Sequence, residues 1–209
     1  MALALRDSAR HTYADYLGWG EERRYELIDG LAWCTAPAPE LVHQEVAGEI
    51  YRQLANALQG KPCRAFIAPV DVRLPKAGEA DELVDTVVQP DVLVVCDPAK
   101  LDRRGVRGAP DFVVEVVSPA SASHDHVRKR AVYERAGVPE YWLVHPGDRL
   151  VTRYLLVGAE YGKPEVQELA GETADRGAAR GGDRLGRARR TPSAAGGLSV
   201  TAKPGRSRP

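Results

Sequence analysis

The spacing of hydrophobic and polar positions along residues 1–170 changes between two periods, which predicts alternating helices and strands. Apolar side chains recur every four residues from Val42 to Leu58, a pattern that predicts one amphipathic helix. Three segments, Phe66–Leu74, Val87–Val95 and Phe112–Val117, have strand character, and the last two are valine-rich enough to predict buried central strands. The stripe of the predicted helix consists of Val42, Val46, Ile50, Leu54 and Leu58.

Cap and turn signals predict the elements before the long helix. Thr12 followed by Asp15 resembles a capping box, which predicts a short helix through Trp19. Asp29-Gly30 lies between two apolar runs and predicts a tight hairpin turn, and Pro37 and Pro39 end that hairpin.

Similar signals divide the second half of the chain. Polar and acidic residues 75–85 predict a loop. A helix capped by Ser121 or Ser123 is predicted to end at Gly137. Its core-facing residues are predicted to be Val127, Ala131, Val132 and Tyr133. Two strands follow, Tyr141–Val144 and Leu150–Leu156, joined by a turn at residues 146–148. This order predicts an α/β fold with one central mixed β-sheet flanked by helices.

Composition divides the 209 residues into a predicted domain, 1–170, and a predicted disordered tail, 171–209. The tail lacks aromatic residues and is rich in Arg, Gly and Ala, so it cannot bury enough apolar area to order itself. It carries nine basic and three acidic side chains, a net charge of +6, which leaves −6 on residues 1–170. A basic nucleic-acid arm, a solvated extension and a shifted reading frame all fit this composition.

The cysteine spacing and the length of the apolar runs indicate the cellular compartment. Cys34, Cys63 and Cys96 are far apart and form no CxxC pair, which argues against a disulfide framework and predicts small buried thiols. We see neither a secretory signal nor an apolar run long enough for a membrane span. We therefore expect a cytoplasmic protein without a membrane partner.

Acidic residues within the valine-rich strands are the main chemical signal. Asp91 lies in Val87–Val95 and Glu115 in Phe112–Val117. Two ionised carboxylates in such surroundings need pairing or a cation, and Mg²⁺ binds through one or two carboxylates. The carbonyl of Val116 could add a ligand. Pairing of either acid with an arginine is the alternative.

A positive charge follows on the next predicted helix. Lys129 could reach back over the sheet edge to hold a phosphate or to orient and deprotonate water. Asp125 lies one turn earlier and could pair with Lys129. A surface position for Lys129 is the alternative.

Five motifs together resemble the Uma family of putative restriction endonucleases, within the PD-(D/E)xK nuclease superfamily, over about residues 8–165. They are Tyr25–Gly30, Gln89–Asp91, Ala109–Asp111, Glu115–Pro119 and Ala136–Trp142.

The resemblance implies a restriction-endonuclease-like fold and a Mg²⁺-dependent phosphodiesterase, with Mn²⁺ as a possible substitute. It assigns Asp91 and Glu115 as metal ligands and places Glu26 and His43 in the same cleft. The superfamily lysine normally follows the acid by two positions, where this chain has Val117, so Lys129 is the matching candidate. Asp71 is a further candidate for the metal shell.

The leading hypothesis is therefore a metal-dependent endonuclease that hydrolyses DNA, and the need to cut two strands makes a homodimer attractive. The acidic charge of residues 1–170 is an objection, because release of counterions supplies much of the affinity for DNA. One alternative is a binding or regulatory module with a nuclease fold and weak or no turnover. Another is a small-molecule metal hydrolase that uses the same carboxylates.

Overall fold

The computed structural model describes residues 9–19, 24–34, 40–118 and 124–169, with the backbone alone for 124–126. The predicted tail, the prolines 37 and 39, and the caps Ser121 and Ser123 lie outside these residues, as does the side chain of Asp125. No helix in the described ranges is long and apolar enough to cross a membrane.

The described residues form three α-helices and thirteen strands, together with two 3₁₀ turns, Asp81–Leu83 and Pro98–Lys100. The helices are α1 (Tyr13–Leu17), α2 (Leu41–Ala57) and α3 (Arg130–Ala136), the last preceded by a π-helical segment, His124–Lys129. The strands are β1 (Tyr25–Ile28), β2 (Leu31–Cys34), β3 (Arg64–Ile67), β4 (Val72–Arg73), β5 (Val87–Val88), β6 (Val92–Val95), β7 (Leu101–Asp102), β8 (Gly105–Arg107), β9 (Phe112–Val116), β10 (Glu140–His145), β11 (Leu150–Val157), β12 (Glu160–Tyr161) and β13 (Glu165–Glu168).

The strands form two mixed sheets, so the prediction of a single central sheet is wrong. The first sheet has the order β2-β1-β5-β4-β8-β7, and the second has β12-β11-β10-β9-β6-β3 with β13 on β11. The segments 66–74 and 87–95 were each predicted as one strand. In each of them the chain leaves one sheet and enters the other. The interruptions contain Pro69 and Pro90, which have no backbone N–H to donate to a sheet.

Three apolar clusters show how the layers are arranged. One face of the first sheet packs on α1 around Tyr13 and Leu27, and one face of the second sheet packs on α2 around Val46 and Ile50. The remaining faces share the largest cluster with α3, which contributes Val132 and Tyr133. Side chains that face this shared core from either sheet therefore converge on α3.

Local signals predicted several elements correctly. Thr12 donates its backbone N–H to the carboxylate of Asp15, and helix α1 begins there. The hairpin turn has φ of 50° at Asp29 and 77° at Gly30, the left-handed values of a two-residue turn. Gly137 ends α3 with φ of 82°. The loop at 75–85 includes one 3₁₀ turn, Asp81–Leu83.

Two predicted helix faces need correction. Val42, predicted on the apolar stripe of α2, is exposed, and the buried residues of the helix begin at Val46. Val127 and Ala131, predicted to face the core, are also exposed. The helix before α3 is π-helical, which changes the angular spacing of its side chains and turns Lys129 inward instead.

The prediction of three buried thiols is also wrong. Cys63 and Cys96 form a disulfide, and all three cysteines are half-buried. The pairing of Arg64 with Val95 across β3 and β6 places the two cysteines opposite each other one step further along. Their separation of 33 residues concealed this proximity in the sequence.

Candidate active site

Glu26, Glu115 and Lys129 form a buried cluster where the two sheets meet α3. Glu26 lies on β1 of the first sheet and Glu115 on β9 of the second, and all three side chains are at most 5% exposed. The Nζ of Lys129 lies 2.7 Å from Oε1 of Glu115 and 3.0 Å from Oε1 of Glu26. Lys129 therefore joins a carboxylate from each sheet.

The alternation of each strand explains why the two carboxylates converge. Glu26 lies on the same face of β1 as Ile28, and Glu115 on the same face of β9 as Val113. Ile28 and Val113 both belong to the core shared by the two sheets and α3. The acids therefore face that core, at the point where Lys129 enters it.

Two hydrogen bonds from other residues orient the carboxylates. The backbone N–H of Gln89 donates to Oε1 of Glu26 at 2.7 Å, and the hydroxyl of Tyr133 donates to Oε1 of Glu115 at 2.7 Å. Each Oε1 thus contacts both Lys129 and one further donor. Hydrogen bonds of this kind stabilise buried ionised groups.

Sequence reasoning did not assign Gln89 or Tyr133 to the site. Tyr133 follows Lys129 by four residues, a spacing that places two side chains on one helix face. Gln89 precedes Pro90, and the residue before proline favours extended backbone. Both signals are present in the sequence, but neither identifies a carboxylate partner by itself.

Asp91 lies directly before β6, beside the buried cluster. The antiparallel pairing of Val92 with Val114 continues by one step to place Asp91 opposite Glu115. Its Oδ2 accepts from the backbone N–H of Val116 at 2.8 Å and lies 3.2 Å from Nε2 of His43. The side chain of Asp91 is 20% exposed, which makes it more accessible than the neighbouring Glu115, at 3%.

His43 and Val116 approach Asp91 from different elements. His43 lies near the start of α2, and its side chain is 13% exposed. Val116 contacts Asp91 through its N–H; it was predicted to contribute its carbonyl to a metal. Within the described ranges, no group of three or more His, Cys, Asp or Glu side chains is close enough to hold a metal ion.

Asp71 belongs to a neighbouring hydrogen-bond network. Its Oδ1 accepts from the hydroxyl of Tyr16 at 3.0 Å and from the side-chain amide of Gln89 at 2.8 Å. Burial, together with the charge of Asp71, raises the pKa of Tyr16 well above its usual value. Gln89 links this network to the cluster, because its backbone binds Glu26 and its side chain binds Asp71.

The arrangement has more negative than positive charge. Two buried carboxylates share the ammonium of Lys129, and Asp91 adds a third carboxylate beside them. Carboxylates are the ligands that hard divalent cations prefer, and an ammonium is a common phosphate contact, so these residue types are the ones to test for both.

Comparison with known proteins identifies relatives of this chain. A sequence profile of the Uma2 family, described as "Putative restriction endonuclease", matches residues 12–178. A solved structure titled as a putative nuclease belonging to DUF820, from Anabaena variabilis, has a similar fold, with a TM-score of 0.60 and 20% sequence identity. The similarity covers 75% of this chain and 84% of that one. No curated protein sequence matches the chain.

Proposed function

The chain belongs to the Uma2 family of putative restriction endonucleases, and from that premise we propose that it is a metal-dependent endonuclease hydrolysing DNA phosphodiester bonds. The observation that carries the proposal is the joining of Glu26 and Glu115 by Lys129 beside Asp91. Acids and a lysine in one partly open cluster are the groups that phosphodiester hydrolysis requires.

A hard divalent cation, Mg²⁺ or Mn²⁺, can bind through two carboxylates and complete its shell with water, so the proposed site does not need the group of three acidic, His or Cys ligands that the described ranges lack. The two contacts of Asp91 both use Oδ2, and its Oδ1 accepts no hydrogen bond from the described residues. The buried trio of Glu26, Glu115 and Lys129 carries a net negative charge when all three are ionised. Asp91 and Glu115 would hold the cation, with the carbonyl of Val116 as a further oxygen ligand.

The chain's own residues have distinct roles in this proposal. When bound, a divalent cation supplies positive charge at the phosphate and a more acidic water. Hydrolysis forms a bond from the water oxygen to phosphorus and breaks one ester bond, whose oxygen takes up a proton. Lys129 offsets the negative charge on the phosphate, Glu26 keeps its ammonium in place, and His43 serves as a base or phosphate contact near Asp91.

One observation favours a nuclease-fold binding or regulatory module without turnover. Lys129 already contacts both buried acids, so its ammonium offsets part of their negative charge without a metal. The two functions differ in whether cations bind the site and whether DNA is cut.

The test compares cleavage of supercoiled plasmid and single-stranded circular DNA in Mg²⁺ or Mn²⁺ by the wild type and Glu115→Gln. We expect cleavage by the wild type and a loss of at least about 100-fold in the variant, since removing one electrostatic contributor commonly costs that much. Glu140→Gln on the adjacent strand is the matched control and should cleave like the wild type.

A calorimetric titration with Mn²⁺ accompanies the cleavage assay. The wild type should bind the ion, and Asp91→Asn should bind it at least tenfold more weakly. Equal cleavage by the wild type and Glu115→Gln would refute the assigned role of Glu115. Folded protein that binds DNA without cutting it would support the binding module. A duplex has two strands to cut, so we also propose a homodimer, which sedimentation would detect.

A further inference from the structure

A cavity of about 490 Å³ lies beside the candidate active site, between the two sheets. Its walls come from β3, from the segment at Asp71, from Gln89 and from the β7–β8 hairpin. Gln89 also donates its backbone N–H to Glu26, so the cavity and the carboxylate cluster share a residue. A molecule in the cavity would therefore lie next to the proposed cleavage site.

The charged side chains that line the cavity differ in whether they already have a hydrogen-bond or ion-pair partner. Among its acids, Asp71 accepts from Tyr16 and Gln89, and Asp102 accepts from the buried guanidinium of Arg73 at 2.7 Å. Three arginines also line it: Arg64, Arg103 and Arg104. Arg104 lies 3.6 Å from Asp81, but Arg64 and Arg103 form no ion pair with any acid in the described ranges.

An aromatic ring adds a second kind of contact. Phe66 lines the cavity, and the guanidinium of Arg64 lies 5.1 Å from the centre of its ring. Basic side chains that follow a phosphate backbone and an aromatic surface that stacks bases are the two parts of single-strand binding sites.

The β7–β8 hairpin that carries Arg103 is held rigidly. The backbone of Val106 donates to the carbonyl of Asp71 at 2.9 Å, and a Cβ at Gly105 would lie 2.3 Å from that carbonyl oxygen. This close approach fixes the backbone of the hairpin that carries Arg103 and Arg104 relative to Asp71. A preorganised backbone loses less entropy on binding.

We propose that this cavity binds a nucleotide of single-stranded nucleic acid, with its phosphates on Arg64 and Arg103 and its base against Phe66. The net charge of −6 on residues 1–170 argues against a broad duplex-binding face, whereas a local basic cavity suits a flexible strand. The proposal rests on the proposed nuclease function for its substrate class, and it adds the residues that hold the strand.

The test measures binding of a fluorescent 12-nucleotide single strand and the matching duplex to the full chain in EDTA, over a range of salt. Arg64→Ala/Arg103→Ala should bind the single strand about 25-fold more weakly at about 0.1 M salt, and the salt slope should fall by about 1.4, as expected for two lost phosphate contacts. Phe66→Leu should weaken binding about tenfold with an unchanged slope.

The matched control is Arg149→Ala/Lys163→Ala, which removes two exposed charges outside the cavity and should bind like the wild type. Wild-type affinity in Arg64→Ala/Arg103→Ala, tighter binding of the duplex, or no binding by the wild type would each overturn the inference. Cleavage is measured separately: loss of strand binding in the arginine variant with no cleavage by the wild type would support the cavity and count against the proposed nuclease.

Discussion

The hydroxyl of Tyr133 on α3 donates a 2.7 Å hydrogen bond to Oε1 of Glu115 on β9. The same oxygen lies 2.7 Å from the ammonium of Lys129, the last residue of the π-helical segment that leads into α3. Two donors four residues apart in the chain therefore bind this carboxylate oxygen. In the proposed function Tyr133 acts through Glu115, as a positioning residue for that carboxylate.

Tyr133→Phe removes this hydrogen bond while keeping the ring in the core. We expect the rate of DNA cleavage to fall at least fivefold, with a loss of about 1–3 kcal/mol in the free energy of unfolding, because a buried charged acceptor loses a donor. Urea unfolding and plasmid cleavage measure the two effects. Tyr154→Phe is the control, since the ring of Tyr154 stacks on Tyr141 in the same core. Wild-type cleavage by Tyr133→Phe would contradict the positioning role.

Lys129→Met leaves Glu26 and Glu115 buried without their shared ammonium. We expect a loss of about 3–5 kcal/mol in the free energy of unfolding at pH 7, the usual cost of removing one partner from a buried ion pair. Adding Glu26→Gln and Glu115→Gln should restore most of that loss, because the remaining buried groups are then neutral. Urea unfolding of the single and triple variants tests this. A single variant as stable as the wild type would mean that Lys129 does not neutralise these acids.

The sequence predicted the parts of the fold that depend on neighbouring residues. Asp29-Gly30 and Gly137 have the left-handed backbone that their turns require, and these signals act within a few residues. The division into two sheets was missed because it depends on where the chain leaves one sheet for the other. Pro69 and Pro90 mark those points, but a proline alone does not show which strands pair on either side.

The site was predictable as a set of residue types and not as a set of contacts. Asp91 and Glu115 stood out because carboxylates are unusual within valine-rich strands. Lys129 was proposed because phosphate chemistry needs a positive charge near those acids. Apolar periodicity favoured Val127 for the core, whereas Lys129 is buried there. The ion pairs with Glu26 and Glu115 stabilise that orientation, and both partners are distant in sequence.

Asp102 should make stability depend on pH in the acid range. The hydrogen bond from Arg73 holds the pKa of Asp102 below its usual value of 3.8. A lowered folded-state pKa adds stability that is fully present above the unfolded value and is lost as pH falls through the folded value. We therefore expect Asp102→Asn to be less stable than the wild type at pH 5, with the difference shrinking towards pH 2.

Thermal unfolding between about pH 2 and 6 measures this difference. The effect should be well below that of a buried pair, because the Asp102 side chain is 47% exposed and solvent screens its charge. Asp148→Asn is the control, since Asp148 is exposed in the β10–β11 turn and forms no ion pair with the described residues. A difference between wild type and Asp102→Asn that stays constant with pH would show that the ion pair with Arg73 does not contribute.

Gly105→Ala should be much more destabilising than the same change at Gly60. Both glycines have positive φ, 117° and 75°, so each substitution introduces backbone strain of about 1–2 kcal/mol. At Gly60 a new Cβ meets no atom within 4 Å, whereas at Gly105 it would lie 2.3 Å from the carbonyl oxygen of Asp71. That oxygen accepts a hydrogen bond from the backbone of Val106, so relief of the overlap would break the contact that holds the β7–β8 hairpin.

We expect urea unfolding to show a loss in the free energy of unfolding of about 1 kcal/mol for Gly60→Ala and about 3 kcal/mol or more for Gly105→Ala. Equal losses would mean that the hairpin can move away from Asp71 at little cost.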